Sequence, residues 1–224
     1  DPARSEANTT KVIRNLKKLE FIVCQDIFMS ETAKLAHVIL PAACFAEKDG
    51  TFTNTERRVQ RVRKAVEPAG GARADWQIIC QVATAMGAPM IYGHPEEIWN
   101  ELAALSPILA GISYERIAAL GLQWPCPTKD HPGTKFMHKD RFTRGKGLFH
   151  AIKFRPPAEV PDAEYPLILS TGRTLHNYNI GNMTRKSGLI EQREPENFVE
   201  IHGQDAARMG IGDGDEVRIR TRRG

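Results

Sequence analysis

QDIFMSETAKLAHVILPA (residues 25–42) and EKDGTFTNTERRVQR (residues 47–61) carry the reading of this chain, because they join two apolar strand ends to polar turns. The apolar run from Phe21 to Cys24 stops at Gln25 and Asp26, and the run from Val38 to Leu40 stops at Pro41. Between them Ser30 is a good N-cap for a short helix, with Glu31 in its first turn and Ala33, Leu35 and Ala36 on an apolar side. Strand, short helix, strand with runs this hydrophobic predicts parallel strands covered on both faces, where ligands sit at the carboxyl ends. Asp26 stands at such an end. Its carboxylate suits the paired N–H donors of a base or ribose hydroxyls, and it equally suits a helix cap. Ser30 offers a hydroxyl and a helix start to a phosphate.

Working outward, ANTTKVIRNLKKLE reads as an amphipathic helix with Val12, Leu16 and Leu19 on one side. Helix, strand, short helix and strand then describe the end of a doubly wound, Rossmann-like α/β domain. After Gly50 the chain alternates weakly, and Val59 with Val62 predicts an extended segment following a polar turn. In that turn Asn54, Glu56 and Arg57 suit either ligand contacts or a hydrogen-bonded turn. The basic run RRVQRVRK (residues 57–64) reads as a charged strand face or a phosphate-facing surface. Asp75 is placed to cap a helix ending at Gly87 and Pro89, Pro95 opens a second helix, and SYERIAALG predicts a third. Ile98, Trp99, Leu102 and Leu105 recur at helical spacing, the pattern of core packing. Residues 123–147 have the proline and glycine density of a long wrapped loop, with Trp124 as its anchor or as a channel lining.

A proline-rich linker (residues 155–166) precedes the strand PLILS and the loop TGRTLHNYNIGNMTRKSG, which is too polar for a core and too long for a hairpin turn. Gly172 permits close backbone approach to a ligand, Arg173 binds a pyrophosphate bidentately, and Asn177 and Tyr178 hydrogen-bond or stack. In the tail, strands at 198–201 and 217–221 flank a short helix from Asp205 that ends at Gly210.

Composition bounds the function. The 41% hydrophobic content and the lack of an apolar run near 18 residues argue against a membrane span. A net charge of +4 with interspersed signs argues against nucleic acid. Cys24, Cys44, Cys80 and Cys126 show no metal-ligand spacing and read as free thiols of a reducing, cytoplasmic compartment. The seven histidines form no helical metal pair, so no metal ligand is assigned. The absence of GxGxxG and GxxxxGK[ST] weakens an ordinary nucleotide-binding domain.

These blocks, together with ADWQIICQVATAMG, GLQWPCPTKDHPGT and NFVEIHGQDAARMGIGDGDEVRIRTRRG, resemble the molybdopterin-dependent oxidoreductases of the dimethyl sulfoxide reductase class. GTFTNTERRVQ is shared across that superfamily, periplasmic nitrate reductases included. Its combination with ADWQII, QWPCP and MTRKSG resembles the catalytic subunits of formate dehydrogenases. The resemblance implies an internal segment of a subunit several times larger. It divides the chain into the C-terminal part of an α/β domain (residues 1–90), a helical and loop connection (91–164) and the start of a truncated double-psi-type β-barrel that binds the dinucleotide (165–224).

The implied cofactor is a bis-molybdopterin guanine dinucleotide carrying molybdenum or tungsten, with a 4Fe–4S cluster in the N-terminal part of the larger subunit. The implied activity is the interconversion of formate and carbon dioxide. The implied partners are the rest of the subunit and iron–sulfur or flavin electron-transfer subunits. The grip on the guanine dinucleotide falls to Asp26, Ser30, Gly50, Gly172, Arg173, Thr174, Leu175, Tyr178, Met183 and Thr184, with no catalytic residue in the segment. One departure stands out: relatives commonly carry a histidine directly before the tyrosine, whereas this chain reads His176-Asn177-Tyr178, so that either Asn177 takes over the polar contact or the loop is shifted by one residue. Two alternatives stay open, another enzyme of the superfamily such as a nitrate reductase and a non-catalytic pterin-binding scaffold.

Overall fold

Pairing of the two apolar runs sets the first sheet. The computed structural model describes residues 1–222. In chain order the elements are α1 (Pro2–Ser5), α2 (Thr9–Leu16), β1 (Val23–Asp26), β2 (Val38–Pro41), β3 (Gly50–Thr53), β4 (Arg58–Val62), α3 (Asp75–Ala85), α4 (Pro95–Leu105), β5 (Leu122–Gln123), α5 (Gly188–Glu191) and α6 (Gly203–Met209). Short 3-10 turns lie at Ala33–Leu35, Phe45–Glu47 and Thr184–Lys186. The chain divides into two units. One takes Asp1–Ile22, Met29–His37 and Lys153–Gly224, and the other takes Val23–Phe28 and Val38–Ile152.

The second of these units holds both sheets. β1 and β2 run parallel, with Val23 opposite Val38 and Asp26 opposite Pro41. The ladder therefore continues through Gln25 and Asp26, beyond the apolar run, and the Ala42 N–H extends it to the Asp26 carbonyl at 3.1 Å. β3 and β4 form an antiparallel hairpin, to whose far edge β5 adds. The turn between them is fastened by Asn54 Oδ1, which accepts the N–H groups of Glu56 and Arg58 at 3.0 Å each.

Arg57, at φ 65°, leaves this turn for the following loop. Its guanidinium donates to the carbonyls of Trp124, Thr134 and Lys135 and lies 5.6 Å from the Trp124 ring. Arg57 and Trp124 are thus mutual anchors of the wrapped loop, the structural one of the two roles open to each. Gly121 is needed where the same loop meets the sheet: at φ +74°, an added Cβ would sit 2.3 Å from the Val59 carbonyl oxygen.

The core of this unit gathers Val59, Trp99, Ile112, Tyr114, Ile117 and Cys126. Only part of the expected apolar stripe of α4 enters it. Trp99 and Ala103 are buried, while Leu102 and Leu105 stay exposed. Trp99 also spends its indole N–H on the Ile112 carbonyl at 2.8 Å. The expected third helix, SYERIAALG, is a correction: it makes a single turn, in which the Ile117 N–H reaches the Ser113 carbonyl at 3.1 Å. The turn stops because Tyr114 and Ile117 are both drawn into the core and Arg116 turns inward to the carbonyls of Gly111, Thr128 and His131.

α3 corrects a second expectation. Ala74 is its N-cap, and Asp75 lies in the first turn with its carboxylate on Gln25 Nε2 at 2.7 Å and on the Lys48 ammonium. Asp75 therefore cross-links β1, the segment before β3 and α3. Burial alone would raise its pKa, but the Lys48 and Gln25 donors outweigh it and hold the carboxyl below the ordinary 3.8. A lowered folded-state pKa adds stability that is present above 3.8 and is lost as pH falls through the lower value. Melting scans should show an acid limb below about pH 4. Asp75→Asn should flatten that limb while lowering stability at neutral pH.

In the other unit Asn8 caps α2 by accepting the Lys11 N–H at 3.1 Å. Val12 and Leu16 are half-buried, but Leu19 lies past the helix end and is exposed. The helix expected after Ser30 shrinks to one 3-10 turn, with Ser30 Oγ accepting the Ala33 N–H at 3.2 Å. α6 ends, as expected, at Gly210 in the left-handed region.

The strands expected at 166–170, 198–201 and 217–221 do not form among the described residues. Their apolar side chains Leu167, Ile168, Leu169 and Phe198 are exposed, and without a ladder partner an extended run does not register as sheet. The architecture is mixed α/β with small sheets. The Rossmann-like and double-psi barrel descriptions go beyond the parallel pair and the three-stranded antiparallel sheet that the described residues display.

Candidate functional site

Most of the candidate residues lie on the loop 171–187, which runs from the linker into α5. Arg173 and Gly172 are exposed, as are Leu175, Tyr178 and Met183, at 90%, 76% and 54%. Against these outward groups stands Asn177, which is only 9% exposed. Its Oδ1 accepts the Thr184 hydroxyl at 2.9 Å, and the Thr184 oxygen in turn accepts the Tyr178 N–H at 3.2 Å. Thr184 thus spends its donor inside the loop. It closes the turn instead of facing outward.

Glu194 braces the same loop from below. Its carboxylate accepts the His176 N–H at 3.4 Å. The Thr174 hydroxyl, foremost, with the Asn177 amide and the His176 N–H, holds it below the ordinary carboxylate value. The Asn177 amide lies close enough to act on that carboxylate yet outside hydrogen-bonding geometry: among the described residues, Asn177 Nδ2 and Arg61 Nε are the buried side-chain nitrogens with no partner. A buried, unspent amide donor costs free energy unless something accepts from it.

Arg185 holds the other arm. Its guanidinium reaches the Glu191 carboxylate at 3.3 Å, the carbonyls of Glu194 and Pro195 at 3.4 and 3.1 Å, and Asn197 Oδ1 at 2.9 Å. It passes directly over Gly181, where φ is +74° and an added Cβ would come 2.8 Å from Arg185 Cγ. Gly181→Ala should therefore cost about 1–2 kcal/mol locally. Faster amide exchange across residues 176–186, against unchanged exchange in the Val59 and Ile112 peptides, is the measurement that checks it.

The remaining candidates are spread over both units. Asp26 ends β1, at the carboxyl end of the parallel pair, with Oδ1 on the Ile27 N–H at 2.8 Å. Ser30 belongs to the unit that holds the loop. Its neighbour Glu31 is held below the ordinary value by Lys34 and, more weakly, by Arg4 and Lys186. The Lys186 contribution places the 3-10 turn Thr184–Lys186 and the Ser30 region in one electrostatic neighbourhood. Gly50 pairs with Val62 at the start of β3, and a Cβ there would meet nothing within 4 Å. The same open space surrounds Gly172. Neither glycine is demanded by a neighbouring atom of this chain.

Sequence reading missed Glu194 and Arg185, though both lie in or close to the MTRKSG motif. The available signal was a charged residue at each end of a proline- and glycine-punctuated segment, REPEN after MTRKSG. Among the described residues no group of three or more His, Cys, Asp or Glu side chains is arranged to hold a metal, and no helix is long and apolar enough to cross a membrane. None of the four cysteines, all of them among the described residues, forms a disulfide.

The chemistry of loop 171–187 fits a flat, anionic, multi-oxygen ligand. It displays an exposed guanidinium for a pyrophosphate, an exposed aromatic ring for stacking, exposed apolar side chains, and a pre-placed amide donor.

Comparison with known proteins sets this loop within a matched region. A model described as molybdopterin oxidoreductase matches residues 1–85, and one described as molydopterin dinucleotide binding domain matches residues 167–224, which includes the loop. The chain is 50% identical over 228 residues to the F420-dependent formate dehydrogenase 2 subunit alpha of Methanococcus maripaludis, a match covering 100% of this chain and 34% of the relative. It is 39% identical to formate dehydrogenase H of Escherichia coli, covering 100% of this chain and 32% of the relative. The assimilatory nitrate reductase catalytic subunit of Bacillus subtilis is 43% identical, with 100% and 33% covered. The chain therefore spans about a third of the length of these relatives. Acetylene hydratase from Pelobacter acetylenicus shares the fold, at a TM-score of 0.70 and 21% identity, over 96% of this chain and 32% of that structure.

Proposed function

Because the chain belongs to the molybdopterin oxidoreductases, we propose that it is the part of a formate dehydrogenase catalytic subunit that grips the guanine dinucleotide arms of a bis-molybdopterin cofactor carrying molybdenum or tungsten. The observation that carries the reading lies inside the matched dinucleotide-binding region: one loop exposes Arg173 and Tyr178 beside a buried, partnerless Asn177 amide. Arg173 suits the pyrophosphate and Tyr178 a ring face, with Gly172, Leu175 and Met183 forming the surrounding surface and Thr174 and Thr184 fixing the loop. Asp26 and Ser30 suit guanine or ribose donors and a phosphate, respectively, and Gly50, at the start of β3, leaves room for close approach of a ligand.

When bound, the metal and its dithiolenes supply the redox step between formate and carbon dioxide. This chain's own residues supply binding and orientation. No acid, base or nucleophile for formate is assigned within it. On this reading the 4Fe–4S cluster and the metal ligand belong to other parts of a longer subunit, residues 1–90, 91–164 and 165–224 are its successive regions here, and iron–sulfur or flavin subunits are its electron-transfer partners in a cytoplasmic complex.

The nitrate reductase match across the whole chain supports a second reading, in which the dinucleotide grip is kept and the substrate changes. Metal, pterin and guanine analysis of the full-length subunit, with formate-dependent dye reduction, tests both. Metal, guanine dinucleotide and formate activity together are expected. Cofactor without formate oxidation would move the substrate to the second reading, and absence of cofactor would leave a scaffold.

A further inference from the structure

We infer that Glu194 and Arg185 are positioning residues for the dinucleotide loop: they brace its two arms against the single strut 191–197 and so hold Asn177 buried with its amide unspent. The inference rests on loop 171–187 being the dinucleotide grip. On one arm, Glu194 accepts the His176 N–H at 3.4 Å, and the Thr174 hydroxyl and the Asn177 amide lie close enough to lower its pKa, so it faces residues 174–177. On the other, Arg185 crosses Gly181 and ends on Glu191, on the carbonyls of Glu194 and Pro195, and on Asn197. Both arms therefore end on one short segment, and the Thr184–Asn177 hydrogen bond ties them together at the top.

The two arginines consequently divide the labour. Arg185 turns both terminal nitrogens to acceptors of its own chain, whereas Arg173 is exposed. A planar fork is what spans four acceptors in different directions, so lysine is a poor substitute at position 185. If either brace is released, Asn177 opens to water and its donor is no longer pre-placed for a ligand acceptor.

The test uses the full-length subunit in three variants, Glu194→Gln, Arg185→Lys and Arg173→Ala. Guanine released by acid hydrolysis is counted per subunit, and amide exchange is followed in the loop and in core peptides containing Val59 and Ile112. Glu194→Gln and Arg185→Lys are expected to reduce retained guanine about tenfold. They should also speed exchange across residues 174–187 and leave core exchange at the wild-type rate. Wild-type guanine retention in both, with loss in Arg173→Ala, would overturn the brace and leave the loop's function standing. Wild-type retention in all three would remove the loop from the site. Faster core exchange in both braced-residue variants would reduce Glu194 and Arg185 to general fold support and also overturn the inference. If Glu194→Gln alone fails to fold, Arg185→Lys, which keeps the charge, decides.

Discussion

Trp99→Ala should destabilise the unit built from Val23–Phe28 and Val38–Ile152 by about 3–5 kcal/mol. The indole belongs to the buried cluster with Val59, Ile112, Tyr114, Ile117 and Cys126, against which Leu109, Leu122 and Trp124 pack. Truncation removes a large buried apolar surface and leaves a cavity whose walls come from a helix, a strand and two loops, so collapse is incomplete. It also strands the Ile112 carbonyl, which accepts the indole N–H at 2.8 Å. Trp99→Phe separates the two contributions, since it keeps most of the ring volume and loses the donor. Urea unfolding followed by far-UV circular dichroism measures both. A loss for Trp99→Ala below about 1 kcal/mol would show that the site repacks.

Arg116→Ala is expected to be nearly as damaging, at about 2–4 kcal/mol, mostly through lost hydrogen bonds. The guanidinium donates to the carbonyls of Gly111, Thr128 and His131 and lies 3.4 Å from the buried Cys126 sulfur. Those carbonyls belong to two loops that have little secondary structure of their own, so Arg116 replaces the ladder they lack. Removing it leaves several half-buried acceptors without a donor at once. Arg116→Lys should recover only a small part of the loss, because an ammonium does not present a planar fork to acceptors spread around it. The same unfolding experiment applies, and limited proteolysis at residues 127–133 should accelerate in both variants.

The elements that were legible in the sequence are those whose signals are local. The parallel pair comes from two apolar runs with a short connection between them, and α4 from Pro95 with a run of helix formers; His94 supplies its cap by accepting the Glu96 N–H at 3.2 Å. What local pattern misjudged was decided by distant partners. SYERIAALG has helical spacing, yet Arg116 is drawn away by carbonyls of a later loop. Asp75 has the chemistry of a cap, yet Gln25, fifty positions earlier, and Lys48 claim its carboxylate. The tail strands have the right composition, but a strand is a property of a pair, and no ladder partner is supplied among the described residues. In the candidate loop, glycines, an arginine and a tyrosine announced themselves by type. Glu194 and Arg185 did not, because their roles arise from which hydrogen bonds remain after the others are made.

The order in which the chain visits its two units bears on how the molecule is born. One unit draws on Asp1–Ile22, Met29–His37 and the portion from Lys153 onward, separated by more than a hundred residues that build the other unit. During synthesis the segments Val23–Phe28 and Val38–Ile152 are all available once Ile152 has left the ribosome, before the residues from Lys153 onward on which the other unit also draws. Closing so long a loop costs entropy that depends only weakly on its length. No single backbone cleavage leaves both units whole. Fragments ending at Ile152 and beginning at Lys153 should behave as complementing halves, each bringing what the other needs.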